Sequence, residues 1–425
     1  MRIEPWQRNL AALFFAQTLT MIAFSFVFPF IPLYIRSLGV SDPDRAAEWA
    51  GLVMAAAALS MAVAQPYWGS LADRMGRKPM VIRSMLGGSV IIGAMGFVSS
   101  PEQLLVLRFI QGAITGVVAA GNALVATSTP KPRLGFALGL MQVSIFLGNS
   151  VGPLVGGVIS DEYGFRVAFY AAASLLLLGG LIAIAFVHEQ FVRPAANAAR
   201  PSVIAESRSL LGISIFPVLV TVVFLIQLGG TIISPVLSLF IAQLSTAADV
   251  ATEAGLVMAA TGAVSALSAI VIGRLSDRVG HAMILPICLL GAAAAYVPQA
   301  WVENVGQLLL WRMLLGVFLG GLMPSANALI ALIVPVERRG AAYGLSATAS
   351  SLANGVGPLA GAAIATTLTM RDVFLATGLL FTVGLVWVVF SLRGFKVAQL
   401  PTEELAAARR EDSPAYGRTP THGTG

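Results

Sequence analysis

The sequence predicts an all-α integral membrane protein of twelve spanning helices, arranged as two six-helix bundles related by pseudo-symmetry. Three observations carry this reading. Of 425 residues, 57% are hydrophobic and only 11% charged, with a mean hydropathy of +0.84, whereas soluble domains carry about 25% charged residues. Apolar runs of about 20 residues, each long enough to cross a ~30 Å hydrocarbon layer, recur from end to end. The second half of the chain also repeats the first in register.

The runs lie near 9–34, 49–71, 81–99, 103–127, 135–160, 166–187, 212–241, 251–273, 283–300, 306–333, 341–366 and 372–392. The 43 glycines and 22 prolines do not shorten them, since neighbouring membrane helices re-satisfy the backbone groups that such residues free. The first run follows Met1–Trp6 directly and is too long for a signal peptide, so it is expected to stay in the protein. Cys288 is the only cysteine and makes no internal disulfide. His188, His281 and His422 are scattered outside the apolar cores, so neither a metal nor a cofactor is expected. The net charge of +6 reads as membrane orientation rather than nucleic-acid binding. With Met1 in the cytosol and loops alternating, 20 of the 26 Lys and Arg fall on the cytosolic side and four outside, while Arg108 and Arg312 lie within runs. That bias puts both termini of a multi-pass plasma- or inner-membrane protein in the cytoplasm.

The repeat fixes the organisation. The stretch GSLADRMGRKPM (69–80) recurs as GRLSDRVG (273–280), an offset of 204. Arg108 and Gly112 match Arg312 and Gly316 at the same offset. Asn122-Ala123-Leu124, Gly152-Pro153-Leu154 and Arg166 match Asn327-Ala328-Leu329, Gly357-Pro358-Leu359 and Arg371 at 205. The expected units are an N-terminal bundle (1–187), a cytosolic linker (188–210), a C-terminal bundle (211–393) and a disordered tail (394–425). Two parallel six-helix halves describe a transporter architecture whose substrate site lies between them.

Residues 69–80 resemble the loop 2–3 signature of the major facilitator superfamily, with Gly69, Leu71, Asp73, Arg74, Gly76, Arg77 and Lys78 in place. LLVLRFIQG (104–112) is similar to the helix 4 signature, and GNSVGPLVGG (148–157) to the helix 5 signature of the drug/proton antiporter branch. The resemblance covers about residues 5–392. It implies alternating access and proton-coupled efflux of small hydrophobic compounds. It also implies that Asp73 approaches the start of the eleventh helix and Asp277 the start of the fifth. A carboxylate there meets the exposed N–H groups of a helix from the other half, a contact of ~0.3–1 kcal/mol. The gate is therefore expected in Gly69, Asp73, Arg74, Gly76, Arg77, Lys78, Asp277 and Arg278. The second copy has His281-Ala282 where the first has Arg77-Lys78, so the two clasps are expected to be unequal.

The resemblance gives Arg108 a part in proton coupling. Snorkelling to headgroups is the alternative for an arginine this near a helix end. Gly148, Gly152, Pro153, Gly156 and Gly157 form a small-residue packing motif that lets another backbone come close, and it is expected where the halves slide. Candidates for the cavity are Gln17, Asn122, Gln142, Asn149, Gln227, Asn327 and Asn354, because mid-membrane polar groups either pair or line a path. None of the 20 acidic residues falls mid-membrane, which disfavours lipophilic cations as cargo. No nucleophile–base pair or metal constellation supports a membrane enzyme. The expected partners are the lipid bilayer, a small-molecule substrate and protons, with the protein acting as a monomer. The alternatives are a metabolite or sugar carrier with other coupling, or a non-transporting receptor.

Overall fold

The computed structural model describes residues 4–130, 133–189, 210, 212, 215–246, 249–335 and 338–393, and among these the regular structure is entirely helical. Of the expected linker, only His188, Glu189 and Leu210 are among them; the expected disordered tail lies outside the described residues.

Among the described residues, twelve helical segments follow in order. In the first half, α1 is Pro5–Ser37, passing through a 3-10 turn at Phe28–Phe30, and α2 is Pro43–Met75. Then come α3 (Lys78–Met95), α4 (Pro101–Ser128, interrupted at Thr115–Gly116), α5 (Leu134–Tyr163) and α6 (Phe165–Phe186). In the second half, α7 is the pair Phe216–Ile232 and Leu237–Leu244, bent by 40°, and α8 is Val250–Val279. It continues with α9 (His281–Trp301), α10 (Val305–Ile333), α11 (Arg339–Thr367) and α12 (Met370–Arg393). Among the described residues, nine segments are long and apolar enough to cross a membrane, and the bent α7 makes ten. The other two, α3 and α11, occupy the places of the third and eleventh runs but are less apolar. Lys78 and Arg83 lie within the short α3, and α11 is built largely of Gly, Ala, Ser and Thr. Small residues suit a helix whose face meets other helices rather than lipid.

Local signals explain the boundaries. Proline opens α1, α2, α3 and α4, where its missing N–H costs nothing. Asp42, Ser100 and Asn304 cap α2, α4 and α10, each accepting from a backbone N–H of the first turn. Gly76 and Gly280, the equivalent glycines of the two octets, end α2 and α8 at φ +95° and +104°, a backbone region that favours glycine.

The duplication is visible in the packing. In the first half α1 packs on α5 and α6, α2 on α4, and α3 on α4 and α6. In the second, α7 packs on α11 and α12, α8 on α10, and α9 on α10 and α12. Two contacts that the pseudo-symmetry exchanges join the halves, α5 with α8 and α2 with α11. They are tight away from the octets. A Cβ at Gly157 would overlap the Ala251 carbonyl of α8, and one at Gly255 the Pro153 carbonyl of α5. In the mirror contact, a Cβ at Gly51 of α2 would lie 2.8 Å from the Pro358 carbonyl oxygen and 2.7 Å from Ala362 Cβ of α11. Toward the octets the same four helices diverge. A Cβ at Gly69, Gly139, Gly273 or Gly344 would meet nothing within 4 Å. The halves thus close on each other at one face and stand apart at the face carrying the octets.

Candidate transport site and gates

The cavity between the halves forms where helices are interrupted. The 3-10 turn of α1, the Thr115–Gly116 break of α4 and the bend of α7 each contribute to its wall, through Phe28, Thr115 with Gly116, and Ser234. Gly116 sits at φ +138°, a conformation that favours glycine and lets α4 break beside the space, as discontinuous helices do in transporters. The cavity measures about 380 Å³, within the range of small-molecule sites. Its wall is mainly apolar, with Met21, Phe24, Met54 and Met61 from the first half and Pro358 from the second.

Arg108 is the one charged side chain among the described residues of this wall. It is only 5% exposed. Its Nη1 donates to Gln111 Oε1 at 3.1 Å, one turn along α4, while Nε and Nη2 have no hydrogen-bond partner. A guanidinium removed from water with two donors open is costly, a cost that an oxyanion or polar ligand in the cavity would offset. Arg312, its repeat equivalent, is equally buried and leaves the same two nitrogens open. It rests 5.8 Å from the Phe374 ring centroid and 6.0 Å from that of Tyr296, with Leu315 where the first half has Gln111. It lines neither this cavity nor the vestibule described next.

The cavity continues toward the octet face into a second space of about 470 Å³, sharing Gln65, Thr115, Gly116 and Ala119 with the first. Trp68, Arg77 and Arg83 stand on one side of this vestibule and Gly344, Ala347, Thr348 and Ser351 of α11 on the other.

At the octet itself, Glu189 accepts from the backbone N–H groups of Arg77 and Lys78, 2.8 Å to each, and so caps α3. Asn9 ties the neighbouring residue down, donating to the His188 carbonyl at 2.6 Å and accepting from the His188 N–H at 2.8 Å. Arg77 Nη1 reaches the Ala123 carbonyl at 3.4 Å, Lys78 Nζ reaches the Ile184 carbonyl at 3.1 Å, and Arg74 and Arg278 are exposed. The side chains of Asp73 and Asp277 lie outside what the structure describes.

The α5 glycines correct one expectation. A Cβ at Gly152 would lie 2.7 Å from the Ile22 carbonyl oxygen; one at Gly148 would overlap Met21, and one at Gly156 the Phe26 carbonyl. A spacing of four puts all three on one helix face, and that face meets α1 of the same half. Only Gly157, with the Pro153 carbonyl beside it, meets the other half.

A carboxylate clasp between the halves does exist, at the face away from the octets. Asp161, near the end of α5, accepts from the Ala251 and Thr252 N–H groups at 3.3 and 2.6 Å. It thereby caps α8 of the other half.

The expected cavity residues divide. Asn354 lines the cavity and accepts from Gln227 Nε2 at 2.8 Å, with Gln227 behind it. Gln17 instead donates to the Met141 carbonyl and Ser144 Oγ, joining α1 to α5. Asn149 accepts from Ser25 Oγ at 2.7 Å. With Asn122, Gln142 and Asn327, these two stand outside the cavity wall. Sequence reasoning missed Gln65, Ser234 and the three methionines, whose side chains carry no distinctive signal in an apolar run. It also missed Thr115 and Gly116, for which a glycine in mid-run was the available clue. Among the described residues, no group of three or more His, Cys, Asp or Glu could hold a metal.

Two pseudo-symmetric bundles, a cavity at their interface and closure at one face define a multi-pass membrane transporter. The sequence profile of the Major Facilitator Superfamily matches residues 13–244 and 219–420, and the chain belongs to that family. It is 35% identical over 405 residues to the "Multidrug resistance protein MdtG" of Enterobacter lignolyticus (strain SCF1), covering 94% of this chain and 96% of that one. It is also 35% identical over 382 residues to the protein of that name from Rahnella sp. (strain Y9602), covering 89% and 92%. Its fold is similar to that of a bacterial homologue of the human lysosomal transporter Spinster, solved inward-facing and unoccupied. That likeness has a TM-score of 0.77 at 16% identity and covers 93% and 98% of the two chains.

Proposed function

We propose that this protein is a secondary active exporter of the multidrug type. It works by alternating access, as a monomer, expelling small hydrophobic compounds in exchange for protons. The octet face, richest in Lys and Arg, is the cytosolic one, so the arrangement described above is open to the cytosol. Asp73 and Asp277 act as clasps when that side shuts, with Arg74, Arg77, Lys78 and Arg278 around them. The observation that carries the reading is the central cavity, an apolar wall with one open guanidinium and no carboxylate among its described residues. The likeness to the multidrug resistance proteins supports efflux as the direction.

The wall also supports a charge preference. A cation entering it is desolvated without a counter-charge, whereas a neutral or anionic amphiphile is not penalised in this way. Arg108 further disfavours cations and couples transport to protons through its polar network or through an acidic substrate. Export of a monoanion against one entering proton moves two positive charges inward per cycle. An inside-negative potential then drives it.

The test is transport by purified protein in liposomes against a panel of anionic, neutral and quaternary compounds, with pH gradient and potential set independently. Neutral or anionic amphiphiles are expected to move uphill, and Arg108→Ala to abolish uphill transport. Efficient proton-driven efflux of a quaternary cation by the wild type refutes the charge preference. Failure of every compound to respond to either gradient refutes the exporter.

A further inference from the structure

The vestibule between the cavity and the octet face holds a second cation that the transport cycle above does not use. Arg83, on α3, is half-buried and sits over the Trp68 indole, its guanidinium carbon 3.5 Å from the ring centroid. Trp68 is itself fixed, donating Nε1–H to the Ala113 carbonyl at 2.6 Å. Stacking holds the guanidinium by its face and leaves its edge donors free. Nε and Nη1 of Arg83 are buried and have no hydrogen-bond partner. Arg77 stands in the same vestibule wall, which among the described residues carries no acidic side chain.

The repeat shows that the fold does not require this pair. At the offset of 204 the second half has Ile272 for Trp68 and Ile287 for Arg83, so the equivalent positions of the scaffold carry two apolar side chains. An arginine stacked on a tryptophan, edge donors open, beside an apolar cavity, has the geometry for an oxyanion on a hydrophobic body. The guanidinium gives the acid group a charge-assisted hydrogen bond, and the indole and neighbouring alanines take the body.

We propose that Trp68 and Arg83 form a loading subsite for amphiphilic organic acids, distinct from the Arg108 cavity and upstream of it. The opposite wall is α11, which belongs to the other half, so the subsite exists only while the octet face is open. A bound acid passes from it past Gln65 and Thr115, residues shared by both spaces, toward Arg108. The subsite deepens the exporter reading but stands on separate residues. Anionic phospholipid headgroups and soluble organic acids share the recognised chemistry.

The test uses the full chain in phosphatidylcholine nanodiscs with 11-(dansylamino)undecanoic acid as probe and its methyl ester as the uncharged control. Binding is read by energy transfer from tryptophan and by equilibrium dialysis. In an Arg108→Leu background, which removes the central guanidinium, the acid is expected to bind at least about tenfold more tightly than the ester, the scale of one charge-assisted hydrogen bond. Arg83→Leu should erase that preference and Arg83→Lys retain part of it. Trp68→Phe should remove most of the energy transfer while keeping some of the preference. Displacement of the probe by phosphatidylglycerol in the disc assigns the site to lipid headgroups; displacement by undecanoate alone assigns it to soluble acids. Equal affinity for acid and ester, or an acid preference that survives Arg83→Leu, overturns the proposal. If Arg108→Leu leaves the number of acid molecules bound unchanged from wild type, the Arg108 assignment fails while the Arg83 result stands.

Discussion

Asp161 tests how the two halves are held. It sits two residues before the end of α5 and accepts from the second and third N–H groups of α8, Ala251 and Thr252. Asp161→Asn keeps the shape and one acceptor oxygen, but removes the charge and puts an NH2 where the other N–H needs an acceptor. A carboxylate at a helix N-terminus stabilises by ~0.3–1 kcal/mol, and up to ~2 kcal/mol when partly buried. Asp161 is partly buried, so a loss of about 1–2 kcal/mol is expected. Since 1.4 kcal/mol is a factor of ten, the ratio of closed to open at that face should fall about 5- to 30-fold. Pulsed electron paramagnetic resonance reads this ratio directly in a Cys288→Ser background. One label pair, Arg45→Cys with Glu303→Cys, reports the closed face. The other, Met75→Cys with Val279→Cys, reports the octet face; all four positions are exposed. Asp161→Asn should lengthen the first distance and shorten the second. The repeat equivalent, Thr366, bonds its own helix at the Ala363 carbonyl, so Thr366→Val should change neither. Superposable distance distributions for wild type and Asp161→Asn at both faces refute the latch.

Three further outcomes follow from the same contacts. Glu189→Gln removes the anionic cap from Arg77 and Lys78 and should lower the melting temperature, a cap being worth ~1 kcal/mol; an unchanged melting curve counts against the cap. Gly139→Leu should fold normally, because a side chain there meets open space, yet slow transport severely, because the octet face must close over it; wild-type rates would show that α5 does not approach the other half at that level. Asp73→Asn should keep expression near wild type and cut transport more than Asp277→Asn, and unimpaired transport by both variants removes the clasps from the mechanism.

Much of the fold was legible because the bilayer constrains it so strongly. Twelve runs and a repeat slipping by one residue foretold the order of the helical segments and their duplication. The site was legible only in part. Arg108 could be found because a charge inside an apolar run is expensive. The polar residues of the interior could not be sorted by the same logic, since hydrogen bonding between helices satisfies them as well as a cavity does. Gln17 and Asn149 are spent in that way, joining α1 to α5, while Asn354 lines the cavity. The glycines of α5 could be read as a packing motif, but not for their partner. Gly156 and Gly157 are adjacent in sequence, yet one meets α1 and the other α8. Asp161 had a signal that went unread. An acid at the C-terminal end of its own helix opposes the helix dipole, and so asks for a partner elsewhere.

The differences between the repeats separate scaffold from chemistry. What both halves keep is geometry. The octet glycines that end α2 and α8 are one such pair; another is the matched contact of Gly255 with the Pro153 carbonyl and of Gly51 with the Pro358 carbonyl. These serve two rigid bodies rocking about one interface, and rocking needs both sides alike. What only the first half has is polar. It has Gln111 beside Arg108 against Leu315 beside Arg312, Trp68 and Arg83 against Ile272 and Ile287, Asp161 against Thr366, and Glu189 against Gly394. A guanidinium or carboxylate within a membrane span costs free energy in every conformation unless something compensates it in at least one. A half that only needs to move has no reason to keep such groups, and the second half has exchanged most of them for apolar or neutral side chains. On the proposed function, the first half carries the substrate's charge and the latch, and the second supplies the moving wall. A chimera that places Trp and Arg at positions 272 and 287, with Ile at 68 and 83, should on this reasoning fold and rock, yet lose its preference for acids at the vestibule. Retention of that preference by the chimera would mean that the scaffold, and not the Arg–Trp pair, selects the substrate.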